Sequence, residues 1–215
     1  MITISKQSLM AILATSLLIA SGNAQMQAQA QTGLLAGVKL GYSLPSGDFK
    51  NLLKNSNNST KDGGISGGFF TGFDYAINPI ISVGAEWGAD YAHQFSQVSD
   101  STNTGNLKLS LLSIPLFITS KLYVPGVSGL NVFGKVGYAY NRISGKLSDV
   151  SSDISSSHFD PVVAAGVGYK IAQFNLFAQY QYNWLKSDAL VNLQNTSLKG
   201  GLSTISIGAS YTLSA

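Results

Sequence analysis

The side chains best suited to chemistry in this 215-residue chain are its two histidines, His93 and His158. His158 follows Ser157 and precedes Asp160 by two residues, so a nucleophile, a base and a carboxylate occur close together. The surrounding segment is rich in serine, and the sequence fixes no hydrogen-bonded geometry among the three. The chain has no cysteine, and the histidines are not at metal-ligand spacing. We therefore predict no catalytic residue, no cofactor site and no metal site.

A second set consists of seven charged residues, each in the polar phase of a segment where apolar and polar residues alternate. They are Lys39, Asp74, Glu86, Asp90, Lys121, Lys135 and Lys170. If the segments are strands of one sheet, the acids lie on the second and third strands and most lysines on the fourth to sixth. Acids and lysines then face each other across an interior where charges are tolerated only in pairs. This set predicts either a plug of ion pairs or a narrow charged channel; we favour the plug.

The elements that hold these residues are defined by a two-residue alternation repeated about eight times between residues 34 and 213. In the last repeat, Ile205, Ile207 and Ala209 alternate with Ser206 and Gly208. Successive strand residues point to opposite faces, so the pattern predicts a sheet with one apolar face and one polar face.

The connections between the predicted strands are alternately long and short. The long connections are polar, and the short ones lie around Asn78-Pro79, Pro125–Gly129 and Ala172-Gln173. Long loops at one rim and short turns at the other are typical of a membrane-spanning barrel. We predict an all-β, eight-stranded, antiparallel up-and-down transmembrane β-barrel with long extracellular loops and short periplasmic turns. The long connections cover Pro45–Gly64, Ser96–Asn106, Ile143–His158 and Lys186–Gly200.

The aromatic residues favour the same topology, because Tyr and Trp prefer the membrane–water interface. They sort by strand direction into two girdles. The predicted outer girdle contains Tyr42, Trp87, Tyr91, Tyr138, Tyr140, Tyr180, Tyr182 and Trp184, and the inner girdle Tyr75, Tyr123, Tyr169 and Tyr211. Glycines such as Gly37, Gly166 and Gly208 recur in the opposite phase, where a narrow interior favours small residues.

The fourth predicted strand does not follow the alternation. Leu109 and Leu111 share one phase, whereas Leu112, Ile114 and the apolar residues after them take the other. A β-bulge within 111–113 is predicted to absorb this change of phase, and it would also accommodate Pro115, which has no N–H.

The N-terminus reads as a secretory signal peptide over residues 1–24, with an alternative cut after residue 30. A short Gln/Ala-rich segment follows over residues 25–32, and the barrel domain is predicted over 33–215. Charged residues make up only 11% of the chain and the net charge is +3. So small an excess indicates no nucleic-acid partner, and so low a charge density suits a surface that faces lipid.

Together these features resemble the small outer-membrane β-barrel family of Gram-negative bacteria, with OmpA-, OmpX- and opacity-like members. Ser113-Ile114-Pro115-Leu116 is similar to an x-I-P-L run common in that family. The chain ends shortly after the eighth strand, where OmpA-like proteins continue into a peptidoglycan-binding domain. Its last residue is Ala215 instead of an aromatic residue.

The resemblance implies a non-enzymatic, monomeric protein of the outer membrane, exported by a cleaved signal peptide. It would contact outer-membrane lipids, the barrel-assembly machinery and periplasmic chaperones. Its role would be envelope integrity, adhesion or host contact, with a host or surface ligand bound through the loops. The alternatives are a narrow porin-like channel, a lipid-modifying enzyme at the outer rim, and a soluble calyx with its faces reversed.

Overall fold

The computed structural model describes residues 30–47, 59–99, 106–147, 150–187 and 198–214. Nine antiparallel strand segments run through these ranges: β1 Gly33–Gly47, β2 Ser59–Asp62, β3 Gly64–Asn78, β4 Ile81–Ser99, β5 Asn106–Tyr123, β6 Leu130–Leu147, β7 Val150–Ile171, β8 Phe174–Ser187 and β9 Leu198–Ser214. Only Gly63, with φ of +99°, separates β2 from β3, and both pair with β4. The nine segments therefore form eight barrel strands. The described ranges contain no helix of the length and apolarity needed to cross a bilayer.

The sheet is closed by pairing between the first and last strands. The β1–β9 ladder runs without interruption from Gly33↔Ser214 to Gly47↔Gly200. Every other barrel strand pairs with its neighbours in the chain. The predicted eight-stranded, antiparallel, up-and-down barrel is confirmed. Closure pairs the strands on both sides along the barrel wall, as a lipid-embedded sheet requires.

Three short connections lie at one end of the barrel, which we call the turn end. At the first, the Asn78 side-chain oxygen accepts hydrogen bonds from the N–H groups of Ile80 and Ile81. The second uses positive φ at Gly126 and Gly129, and the third uses positive φ at Ala172. All three turns lie where the sequence predicted them.

At the opposite, loop end, the strands extend further than predicted. The segment Ile143–His158 was predicted as a long connection, but β6 continues to Leu147 and β7 begins at Val150. Cross-strand pairing continues along most of this hairpin, which satisfies the backbone more fully than an irregular loop would. Strand also extends into parts of the other three long connections. Residues 48–58, 100–105 and 188–197 of those connections lie outside the described residues, as do residues 1–29.

The two faces of the sheet are as the alternation predicts. Val38, Leu116 and Ile207 are among the exposed apolar residues of the outer wall, each more than 60% accessible. The opposite phase is buried inside the barrel and carries the charged residues. The apolar phase is therefore outward, which is the arrangement of a membrane barrel and the reverse of a soluble calyx.

The prediction of a β-bulge in the fourth barrel strand, which is β5, is wrong. The β5–β6 ladder is continuous from Leu107↔Leu147 to Tyr123↔Asn131. The irregularity lies instead on β4, where the four steps from Ala92 to Ser96 oppose only two steps of β5. Gln94, at φ +44°, lies within it.

Leu109 and Leu111 keep the inward phase of β5 and contribute to an apolar cluster inside the barrel. Their phase had been misread because the prediction allowed only small and polar residues inside. Pro115 lies at a gap in the β4–β5 ladder, between Trp87↔Leu116 and Asp90↔Ser113. Since proline has no N–H to donate, a gap in the ladder accommodates it.

Candidate functional site

Among the residues that the structure describes, three ion pairs cross the interior of the barrel at successive levels. From the turn end they are Lys121–Asp74, Lys135–Glu86 at 2.7 Å and Lys39–Asp90 at 2.9 Å. Each pair joins strands that are separated by one intervening strand: β5 to β3, β6 to β4, and β1 to β4. The sequence predicted that acids and lysines would face each other from opposite walls of the interior. In the structure, the two partners of each pair are instead on the same side of the barrel, with only one strand between them.

The middle pair lies in the most apolar part of the interior. Lys135 Nζ donates to both carboxylate oxygens of Glu86, at 2.7 and 2.8 Å. Four phenylalanine rings surround the same ammonium at 5.1 to 5.9 Å from their centroids: Phe70, Phe117, Phe133 and Phe177. Cation–π contacts and one bidentate carboxylate therefore replace the water that this charge has lost.

The glycines of the inward phase make room for these rings. Phe70 lies directly opposite Gly37, Phe133 opposite Gly166, and Phe177 opposite Gly208. A Cβ atom added to Gly208 would lie 2.5 Å from the Phe177 ring. A narrow interior holds these rings only because the neighbouring strand has no side chain at the same level.

The upper pair belongs to a wider polar network. Gln181 accepts a hydrogen bond from Lys39 Nζ at 3.1 Å and donates to Asp90 at 3.3 Å. Beside this network is a cavity of about 30 Å³, which has room for about two water molecules. Ser66, Asp90 and Ser206 are among its lining residues, and Ser66 Oγ, Ser206 Oγ and Asp90 Oδ1 are buried without a hydrogen-bond partner in the described ranges.

The seventh charged residue, Lys170, lies at the turn end. Its ammonium donates to Gln31 Oε1 at 2.9 Å and lies 5.6 Å from the centroid of the Tyr123 ring. Tyr123 is 8% exposed and therefore faces the interior, whereas Tyr75 is 56% exposed on the outer wall. The assignment of Tyr123 to the inner girdle is thus corrected. Tyr123 has the same phase as Lys121, and this parity could have revealed its position.

The other predicted girdle residues have outward phases and lie on the outer wall, either exposed or partly covered by neighbours. Among them, the rings of Tyr182 and Trp184 meet edge to face with centroids 4.8 Å apart. These eleven residues are Tyr42, Trp87, Tyr91, Tyr138, Tyr140, Tyr180, Tyr182 and Trp184 towards the loop end and Tyr75, Tyr169 and Tyr211 towards the turn end.

Asp160 is an interior carboxylate that sequence reasoning missed. It is 1% exposed, and Asn141 Nδ2 donates to its Oδ2 at 3.3 Å. Its Oδ1 has no hydrogen-bond partner within the described ranges. Asp160 shares the phase of Val162 and Ala164, both buried inside the barrel, so the alternation contained the signal.

The apolar cluster at the loop end was also missed. Its buried members come from five strands and meet inside the barrel: Ala92, Phe95, Leu111, Ile143, Leu185 and Leu202. Simple alternation places Phe95 outward, and the irregularity at Gln94 reverses its phase. No sequence signal identifies that reversal.

The histidines do not form a catalytic triad with the residues that the sequence suggested. His158 Nε2 shares a hydrogen bond with Ser156 Oγ at 3.0 Å, whereas Ser157 is exposed on the other face. Asp160 Oδ2 accepts a hydrogen bond from Asn141 Nδ2. His93 lies on the outer wall beside the ring of Tyr91. Across the described ranges, no three His, Asp or Glu residues are grouped so as to hold a metal ion.

Comparisons with known proteins agree with this architecture. Residues 12–212 match the outer membrane protein beta-barrel domain family. Outer membrane protein A of Salmonella typhi is 30% identical over 182 residues, which are 82% of this chain and 47% of that protein. The chain thus spans about half the length of this relative.

A solved structure of Neisserial surface protein A superimposes with a TM-score of 0.56 at 17% identity. The match covers 84% of this chain and 97% of that one, and at this identity it shows a shared fold only. The closed barrel and its apolar outer wall agree with the match to this family of outer-membrane barrels. The chain belongs to the outer membrane protein beta-barrel domain family and is an outer-membrane barrel protein.

Proposed function

We propose that this protein is a closed structural barrel that supports envelope integrity and makes surface contacts through its long connections. One observation carries the proposal: the Lys135–Glu86 pair and its four phenylalanine rings fill the middle of the interior. A charge so enclosed has no hydrated path beside it, and an eight-stranded barrel is just wide enough for side chains to fill it.

The absence of conductance tests the closed interior directly. We expect the purified protein, refolded in detergent and added to planar lipid bilayers, to give no single-channel steps. A matched variant with Phe70, Phe95, Phe133 and Phe177 changed to Ser removes the large rings from both the middle of the interior and the apolar cluster at the loop end, and it should give steps. Regular steps from the wild-type protein would favour the alternative, a narrow channel for small solutes or ions.

The role in envelope integrity and the role in surface contacts can be tested separately in cells. Loss of the protein should increase sensitivity to detergents, and the wild-type chain should restore resistance. A variant shortened within residues 48–58 and 188–197 should restore resistance but not adhesion to host cells or matrix. If the shortened variant restores both, the contact role is wrong; if the wild-type chain restores neither, the integrity role is wrong.

The remaining parts of the proposal concern biogenesis. The signal peptide is removed after residue 24 or 30, and periplasmic chaperones and the barrel-assembly machinery deliver a monomer to the membrane. Support comes from the apolar stretch before residue 24 and from the closed sheet, which pairs the strands of the barrel wall on both sides within one chain. Mass spectrometry of the mature N-terminus and crosslinking in outer-membrane fractions test these statements.

A further inference from the structure

Among the side chains that the structure describes, Asp160 is the one inward-facing carboxylate without a lysine partner. Asp74, Glu86 and Asp90 each form an ion pair with a lysine. Asp160 is 1% exposed, and its hydrogen bond from Asn141 Nδ2, at 3.3 Å, is longer than bonds to an ionised carboxylate usually are. A buried carboxylate with so little compensation requires a positive charge beside it.

The side chains around Asp160 supply no such charge. Ala139 lies directly opposite Asp160 on β6, and Val162 follows it on the inward face of β7. Both are fully buried members of one apolar cluster. On the loop side of Asn141, the next inward residue of β6 is Ile143, which belongs to the apolar cluster at the loop end. Asp160 therefore lies between two apolar clusters, where a charge has little solvation.

Asn141 provides a second oxygen at the same place. Neither Asn141 Oδ1 nor Asp160 Oδ1 has a hydrogen-bond partner in the described ranges. The two head groups are in contact through Asn141 Nδ2 and Asp160 Oδ2, so these two acceptors are close together. Ser113 lies directly opposite Asn141 on β5 and adds a buried hydroxyl, which accepts a hydrogen bond from Asn183 Nδ2 at 3.3 Å. Carboxylate, amide and hydroxyl oxygens are the ligands that hard cations prefer.

The charge of this group selects among the hard cations. One carboxylate is balanced by a monovalent ion, whereas a divalent ion would leave an excess positive charge in apolar surroundings. The position of the group also favours an ion from solution. Phe159, next to Asp160, packs against the girdle residue Tyr140 on the outer wall, with ring centroids 5.3 Å apart. The group is thus at the level of the membrane–water interface on the loop side.

We propose that Asp160 Oδ1 and Asn141 Oδ1 bind a sodium ion, with Ser113 Oγ and water completing its coordination. The ion neutralises the buried carboxylate and links β6 to β7, as the lysines link strands at the other three acids. The prediction of no metal site rested on cysteine and histidine spacing and did not consider ligands made of oxygen alone. The sodium site is independent of whether the barrel conducts and of what the loops contact.

Binding of sodium to the folded state predicts a stability that depends on sodium. The protein, folded in a non-ionic detergent, is unfolded by urea at pH 8 in mixtures of sodium chloride and choline chloride at constant ionic strength. Choline is too large for the site. We expect the equilibrium constant for unfolding to fall about tenfold between about 5 and about 500 mM sodium, as for one ion bound per chain.

Three variants locate the effect. Asp160→Asn keeps the shape of the side chain, removes its charge and should abolish the sodium dependence. Asp90→Asn is the matched control, because it removes an interior acid that already has Lys39 as its partner, and it should keep the full tenfold effect. Asn141→Asp adds a second carboxylate beside the first and should create a stabilisation by calcium that the wild-type protein lacks.

Sodium-23 NMR relaxation measures binding without unfolding. The folded wild-type protein should broaden the sodium resonance more than Asp160→Asn does at equal protein and detergent concentrations. Folding of every variant is verified by heat-dependent mobility in detergent gels. Equal unfolding of the wild-type protein in sodium and in choline would overturn the proposal. So would a sodium dependence that Asp160→Asn retains, because the ion would then bind elsewhere, or one that Asp90→Asn also abolishes, because the effect would then be general.

Discussion

Lys135 Nζ lies within 2.8 Å of both carboxylate oxygens of Glu86, and the two side chains are about 95% buried in the barrel. This pair joins β6 to β4 across the intervening β5. Burying two charges costs several kcal/mol each, and their mutual contact offsets most of that cost, with a smaller contribution from the cation–π contacts of Lys135. The pair therefore links β4 and β6 across β5. Removal of either partner would leave the other charge buried and unpaired.

Removal of one partner of this pair should strongly destabilise the folded protein. Glu86→Gln leaves the Lys135 ammonium among four phenylalanine rings, and we expect a loss of about 3–5 kcal/mol in the free energy of unfolding. Urea titration of the refolded protein in detergent or lipid vesicles measures it. Asp160→Asn is the matched control, because Asp160 has no ion-pair partner in the described ranges. A similar loss in both variants would contradict the special role of the pair.

Replacement of both partners by apolar residues should change the stability of the protein only slightly. The double variant Glu86→Leu with Lys135→Met removes both charges and keeps much of the volume. We expect its free energy of unfolding to lie within about 1–2 kcal/mol of the wild type, well above that of Glu86→Gln alone. The same urea titration compares the two, and a double variant as unstable as Glu86→Gln would show that the charges themselves are required.

The lumenal glycines should not tolerate a side chain. A Cβ on Gly208 meets the Phe177 ring and the Val38 carbonyl oxygen, both at 2.5 Å, so Gly208→Ala should cost about 1–3 kcal/mol. Gly134 lies on the outer wall with no atom within 4 Å of its added Cβ. Gly134→Ala should therefore be neutral or slightly stabilising. Unfolding midpoints of the two variants test the contrast, and equal losses would exclude the ring contact as the cause.

The inward position of Tyr123 predicts an energetic coupling with Lys170. In a double-mutant cycle with Tyr123→Leu and Lys170→Met, we expect a coupling of about 0.5–2 kcal/mol from the cation–π contact. The cycle that pairs Tyr75→Leu with Lys170→Met should give none, because Tyr75 is on the outer wall. If the Tyr123 cycle also gives none, the contact contributes no stability.

The alternation in the sequence was sufficient to place most residues on the correct face of the barrel. It placed Lys39, Glu86 and Lys135 inside and predicted eight strands with three short turns. These properties depend on a local period of two residues, which any strand must express. The same period should have placed Tyr123 and Asp160 inside; those errors arose from assigning residues by type and not by phase.

Only the tertiary structure decided which interior groups meet. The pairing of Lys39 with Asp90 depends on the register between strands distant in sequence, and closure of the barrel fixes that register. The reversal of Phe95 depends on an irregularity at Gln94 that is defined against β5, and the alternation of β4 alone gives no sign of it. The sequence by itself therefore determined the lipid-facing wall and the strand count. The tertiary structure determined the ion pairs and the apolar cluster at the loop end, because contacts across the interior depend on how the strands are aligned and not on the pattern within any one of them.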